Sequence, residues 1–193
     1  MNALEALTTR FSVKPAFLGG PAPSGAALEA ILRAGASAPD HGRLRPWRFL
    51  IIRGEARERL GEVFAEALRR RRPDADEEML AKERAKPLRA PMIVAVAATV
   101  QKGHKIPEVE QILSAGAAAQ NVLLAAHAQG FGGHWITGEP AYDAHVKAAL
   151  GLGPEDAVAG FLYLGSLQGT PPPPGRHADP AEHTTEWHEP ATA

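Results

Sequence analysis

Arg10, Ser12 and Lys14 alternate along the stretch RFSVK near the start of the chain. In an extended backbone every second side chain points the same way, so this spacing sets a guanidinium, a hydroxyl and an ammonium in one row. Such a row suits a phosphate ester, whose oxygens accept charge-assisted hydrogen bonds from cations and hydroxyls. It equally suits an exposed basic strand edge, and spacing alone does not separate the two readings.

A second concentration of reactive groups is the loop SAPDHGRLRPWRF, from Ser37 to Phe49. Its Asp40-His41 pair could ligate a metal, but the other histidines in the body of the chain, His104, His127, His134 and His145, show no HExxH form. No carboxylate cluster accompanies them at ligand spacing, so we expect no metal site. His127, inside a helical stretch, reads as a packed or interface residue. The C-terminal His177, His183 and His188 could take a metal only adventitiously.

Glycine patterns are less telling. GLGPED (151–156) opens like a dinucleotide fingerprint, yet it lacks the third glycine and follows a helix rather than a strand. GFGGHWITG (130–138) also follows a helix, and its glycines read as room for something flat or bulky against the backbone. There is no GxSxG elbow and no GxxxxGK[ST] loop, so serine hydrolysis and P-loop chemistry have no support. The chain has no cysteine, which removes disulfides, thiolate ligands and a cysteine nucleophile. The basic run LRRRRP (68–73) ends a helix, where cations offset the macrodipole, and acidic DADEE follows at once. Local charge balance explains it, and a net charge of −1 argues against a general grip on nucleic acid or anionic membrane.

The elements that must position these groups can be read in order. Asn2 caps a short first helix carrying Leu4 and Leu7, which gives way to an extended RFSVKPAF. Ser24 caps a second helix with Leu28, Ile31 and Leu32 on one face. WRFLII (47–52) reads as a strand and 55–71 as an amphipathic helix; Pro73 breaks it before a charged, more exposed helix to Lys86. MIVAVAAT (92–99) is a buried strand, Pro107 to Gln129 the longest helix, stopped by Gly130. A short strand within 130–138, a helix from Pro140 to Leu150 and a buried strand at 157–166 complete the body. PPPP (171–174) opens an extended tail ending HTTEWHE, able to lie as an extra strand on a partner's sheet edge. The order predicts an α+β layered domain with a four- to five-stranded central sheet flanked by helices.

At 193 residues, 45% of them hydrophobic, the chain fits one domain. Much of that fraction is alanine, so side-chain bulk is modest and a dimer interface would supply further burial. The middle of the long helix, SAGAAAQ (114–120), is nearly bare and expects another backbone close by, in the core or across a dimer axis. The start MNALEALTTRF lacks a leader's pattern and no apolar run approaches a membrane span, so a cytoplasmic protein is the default expectation.

Four segments in the same order resemble the FMN-dependent nitroreductase family, in its small single-domain NAD(P)H nitroreductase branch. RFSVK resembles the family's R-x-S-x-[KR] phosphate motif. SAPDHGRLRPWRFLII resembles its loop-to-strand signature, A-P-S-x-x-N-x-Q-P-W in many members and A-P-D-H in this branch. HKIPEVEQILSAGAAAQNVLLAAHAQGFGGHWITG resembles the central helix and the turn after it, and AVAGFLYLGS the last core strand.

The resemblance implies a nitroreductase-like layered fold and a homodimer with exchanged C-terminal extensions. Residues 1–170 would be the FMN-binding domain and 171–193 an arm packing on the partner subunit. It implies FMN held by Arg10 and Ser12 at the phosphate and by Lys14 at the pyrimidine edge, with Phe11 a further cofactor contact. Ser37 and His41 would reach the ring from the other subunit, and Gly132, Gly133, Trp135, Ile136 and Thr137 would lie along the flavin. Arg43 and Arg45 stand where many members carry asparagine and glutamine, and Arg176 is a candidate second phosphate cation. The implied activity is ping-pong oxidation of NAD(P)H with reduction of nitroaromatics, quinones or similar small-molecule electron acceptors, the flavin carrying the chemistry without a protein acid or base. Other flavin chemistry on the same fold, such as dehydrogenation, dehalogenation or flavin fragmentation, and a non-catalytic flavin-binding module are the alternatives.

Overall fold

A computed structural model of the chain describes residues 1–172, 175 and 178–187. Helix α1 (Ala3–Thr9) opens with a capping box: Asn2 accepts from the Glu5 amide while the Glu5 carboxylate accepts from the Asn2 amide. Strand β1 (Leu18–Gly19) is only two residues long, and the sequence pattern shows it merely as part of an extended stretch. Helix α2 (Gly25–Gly35) starts after Ser24, which has the extended cap backbone but makes no side-chain cap bond.

Strand β2 (Trp47–Arg53) and helices α3 (Glu55–Arg71) and α4 (Glu77–Ala85) follow, the last capped by Asp76 on the Met79 amide. Strand β3 (Met92–Ala98), helix α5 (Glu108–Ala128) and strand β4 (Phe131–Ile136) form the middle of the chain. The helix expected from Pro140 is shorter. Glu139–Ala141 is a 3₁₀ turn, and α6 begins only at Ala144, running to Ala149. The reason is Asp143, whose carboxylate accepts from the His145 and Val146 amides and sets the helix start there. Strand β5 (Ala157–Leu167) closes the sheet.

All strand pairs are antiparallel, and β5 is the hub of the five-stranded sheet. It bonds to β1, β3 and β4, while β2 bonds to β3 on its far side. Because side chains alternate along a strand, the fully buried β3 feeds two cores. Ile93, Ala95 and Ala97 join Leu60, Phe64 and Ala67 of α3. Met92, Val94, Val96 and Ala98 join Ile31 of α2 and Ala115, Ala119 and Val122 of α5. The sheet is thus sandwiched between helical layers, as the order of elements predicts. The register of β3 on β5 shifts between Val96 and Ala97, leaving a bulge opposite, at Ala159.

The basic run at the end of α3 is locally neutralised. Arg69 and Arg70 pair with Glu66, Arg71 with Asp143 and Glu139, and Arg72 with Asp74. Among the described residues of the tail, Pro180–His183 forms a 3₁₀ turn, and no strand is present. Arg176, His177 and His188 lie outside the described residues. No helix among the described residues is long and apolar enough to cross a membrane.

Candidate functional site

Residues 10–14 run extended from the C-terminal cap of α1. The Val13 amide donates to the Gly133 carbonyl at 3.0 Å, which docks the segment against β4. Val13 is buried and Phe11 half-buried, whereas Ser12 and Lys14 are exposed and Arg10 partly so. The alternation therefore does what its spacing predicts, with apolar residues inward and the polar row outward. Arg10 and Lys14 have no carboxylate partner among the described residues. Two unpaired cations flanking a free hydroxyl form a donor set that fits a phosphate monoester.

Beneath this segment lies a small cavity of about 40 Å³, lined by Arg10, Phe11, His127, Gly132, Gly133 and Leu167 with three further apolar side chains. It has room for a water or so and far too little for a flavin ring. The glycines of β4 serve this chain's own packing. A Cβ on Gly132 would meet Leu18 and Leu167, and one on Gly133 would meet Leu123. What approaches the backbone closely here is leucine, where the pattern reads as room for a flat or bulky group.

His127 is a residue whose part in this region the pattern does not reveal. Its Nε2 lies 2.9 Å from Thr9 Oγ1, the last residue of α1. Burial, with help from the Arg10 charge, holds its pKa below the ordinary value of 6.5, partly offset by Glu5. His134, on β4, is likewise held down by burial, partly offset by the nearby Val13 backbone. Its Nδ1 is buried without a partner among the described residues.

Farther along β4, Trp135 is committed to the sheet. Its indole N–H donates to the Ala159 carbonyl at 3.0 Å, the residue extruded by the β5 bulge. Ile136 packs on the α3-side core, and Thr137 is half-buried just past the strand.

Ser37 lies beside Asn121, Leu124 and Ala125 in the C-terminal half of α5, whereas His41 sits at the other end of that helix. The Ser37 hydroxyl donates to the Ala34 carbonyl at the end of α2. His41 Nδ1 lies 2.6 Å from Glu110 Oε2, and Ser114 Oγ donates to the Pro39 carbonyl. Asp40 turns away from His41 to accept from the Arg45 amide. The two do not converge on a common ligand. The loop is further pinned at Gly42, where a Cβ would overlap the Ile106 side chain. Ile106 is itself held through Gln111, buried in α5, whose Nε2 donates to the Ile106 and Gln101 carbonyls while its Oε1 accepts from the Gln101 amide. Gln111 carries no sequence signal that sets it apart from a surface glutamine. At ~1.5 Å of rise per residue, Glu110 and His127 stand roughly 25 Å apart along α5. His41 and the Arg10 segment therefore do not meet within one chain.

Comparison with known proteins gives this arrangement its context. The profile of the Nitroreductase family matches residues 7–166. The chain is 43% identical over 168 residues to YdjA of Escherichia coli (strain K12), which bears the name of an NAD(P)H nitroreductase, covering 87% of this chain and 90% of that one. A crystal structure of a nitroreductase-like family protein from Bacillus cereus superposes with a TM-score of 0.80 at 23% identity, covering 98% of this chain and 97% of that one. An FMN complex from Desulfovibrio desulfuricans, described as a nitroreductase, superposes with a TM-score of 0.73 at 26% identity, covering 98% and 99%. With the profile running from α1 into β5 and this close a curated relative, the chain belongs to the nitroreductase family.

Proposed function

We propose that this protein is an FMN-dependent NAD(P)H oxidoreductase that works as a homodimer and reduces nitroaromatics, quinones or similar electrophiles. The observation that carries the reading is the exposed row of Arg10, Ser12 and Lys14, unpaired among the described residues and docked on β4 through Val13. Arg10 and Ser12 hold the FMN phosphate, and Phe11 packs beneath them. Lys14 lies at the pyrimidine edge, where its ammonium offsets negative charge gained on reduction. Bound FMN supplies hydride transfer between the nicotinamide and the acceptor. Gly132, Gly133, Trp135, Ile136 and Thr137 provide a rigid floor alongside, set by the β4–β5 pairing. Donor and acceptor occupy one open face in turn, which is a ping-pong order, and no side chain need act as acid or base.

The dimer completes the site. Val109 and Leu113 stand exposed on α5, as do Leu4 and Leu7 on α1, and a Cβ on Gly116 would meet nothing within this chain. A second copy crossing antiparallel at Gly116 covers that stripe with a close helix contact. It also brings the loop of one chain, with His41, towards the Arg10 end of the other, spanning the roughly 25 Å that one chain cannot, and Ser37 joins it as a flavin contact. The arm expected at 171–193 lies partly outside the described residues; of those described, the exposed Trp187 is the apolar side chain it would offer a partner.

The test is direct. The purified protein should carry or take up FMN, sediment as a dimer, and oxidise NAD(P)H with a nitroaromatic or quinone, giving parallel double-reciprocal lines. The flavin-free protein should be inactive. Normal FMN binding with no NAD(P)H oxidation by any acceptor would sink the reading and leave a flavin-binding module.

A further inference from the structure

The contact between Thr9 and His127 joins α1 to the end of α5 across 118 positions of sequence. Its polarity can be deduced. The Thr9 hydroxyl already donates to the Glu5 carbonyl at 2.6 Å, so its proton is used, and His127 must donate from Nε2–H. That leaves Nδ1 as the unprotonated nitrogen of a neutral ring. Thr9 immediately precedes Arg10, and the next anchor of the segment is the Val13 amide on Gly133. Arg10, whose own amide donates to the Ala6 carbonyl at 3.1 Å, thus sits between two tertiary hydrogen bonds, one of them to an imidazole lining the same cavity.

We infer that His127 is a positioning residue for Arg10, and that it takes up a proton when a phosphate monoester binds there. The inference rests on the flavin reading, with the FMN phosphate as the anion. From α1 and the segment after it, Glu5 and Arg10 are the charged groups acting on the ring. The walls from α5, β4 and β5 contribute Leu123, Phe131 and Leu167 and no charge. In the free protein Arg10 opposes protonation of His127. A dianion on Arg10 neutralises that opposition, and protonation at Nδ1 leaves the Nε2–H bond to Thr9 intact. Binding and proton uptake are therefore linked.

The test uses the wild type, His127→Gln, His127→Leu and Thr9→Val, each with FMN and with riboflavin, which lacks the phosphate. Calorimetry at pH 6.5 in two buffers of different ionisation enthalpy reads proton uptake, and affinity at pH 8 reads positioning. His127→Gln keeps a donor for Thr9 and should retain FMN affinity at pH 8 while losing the extra proton uptake. His127→Leu and Thr9→Val should weaken FMN roughly five- to tenfold, the worth of one hydrogen bond, and leave riboflavin unchanged. Equal proton uptake by wild type and His127→Gln, or an equal loss for riboflavin and FMN, overturns the inference while the flavin reading stands. A wild type that binds neither flavin overturns both.

Discussion

The indole of Trp135 occupies the space where Gly160 would carry a side chain. A Cβ on Gly160 would overlap Nε1 and Cδ1 of the ring, whose N–H is already tied to the neighbouring Ala159 carbonyl. The bulge in β5 and the missing side chain thus form one device. The bulge presents a carbonyl, the glycine clears the path to it, and the tryptophan locks β4 onto β5.

Gly160→Ala should therefore destabilise the fold by ~1–3 kcal/mol, the usual range for overpacking a filled site. The emission of Trp135 should change with it. Denaturant unfolding checks the first expectation and fluorescence the second.

The loop from Asp40 to Arg45 holds three positive-φ residues, Gly42 at 70°, Arg43 at 58° and Arg45 at 50°. Left-handed backbone is disfavoured for arginine and tolerated by asparagine. Arg43→Asn and Arg45→Asn should each raise stability by up to ~1 kcal/mol, measurable as an increase in Tm. If turnover of anionic acceptors falls in the same variants, the arginines serve substrate binding at a cost in stability.

Gln111 bridges three backbone groups across the loop 101–106. Gln111→Leu should cost ~1–3 kcal/mol or more, because the amides and carbonyls it serves lose their partners while partly buried. Hydrogen exchange at Gln101 should accelerate in that variant ahead of the sheet amides.

Acid should weaken the fold in two stages. His127 and His134 both have folded pKa values below the ordinary 6.5. Their stabilising contribution is whole above that value. It is lost as the pH falls through the folded values, because the unfolded chain takes up protons first. Asp143 is also held low: burial pushes its carboxyl up, but Arg71 and the Val146 and His145 amides together outweigh it. Its contribution persists above the ordinary 3.8 and is lost as the pH falls through its folded pKa. Tm against pH should decline first below 6.5 and again below 4, and His134→Gln should reduce the first step only.

On the dimer proposed above, Leu113→Glu should yield monomers in sedimentation and lower FMN affinity, because the loop carrying His41 would lose its route to the other chain. A variant that stays dimeric, or a monomer with full FMN affinity, would count against that arrangement.

What was legible in the sequence is what local physics decides. The Asn2 capping box, the alternation of residues 10–14 and the continuous apolar runs of β3 and β5 each announce their element through residues a few positions apart. The start of α6 was misread because Pro140 is a strong signal, and the competing one, Asp143, draws its strength partly from Arg71, 72 positions away. The Thr9–His127 and Gly42–Ile106 contacts are likewise matters of tertiary geometry. The β4 glycines were legible as close-approach positions, but only the strand order reveals that leucines make the approach.

The hub position of β5 bears on how the protein is made. A ribosome releases the chain from its N-terminus, so β2 and β3 emerge and pair well before their central neighbour exists. Until residues 157–167 appear, β3 presents an open, wholly apolar edge strand, the kind of surface that seeds association between nascent chains. Synthesis is thus the interval of greatest hazard for this fold. A chain stalled or truncated before β5 should be captured by chaperones or aggregate, whereas one cut just after Leu167 keeps all five strands found among the described residues.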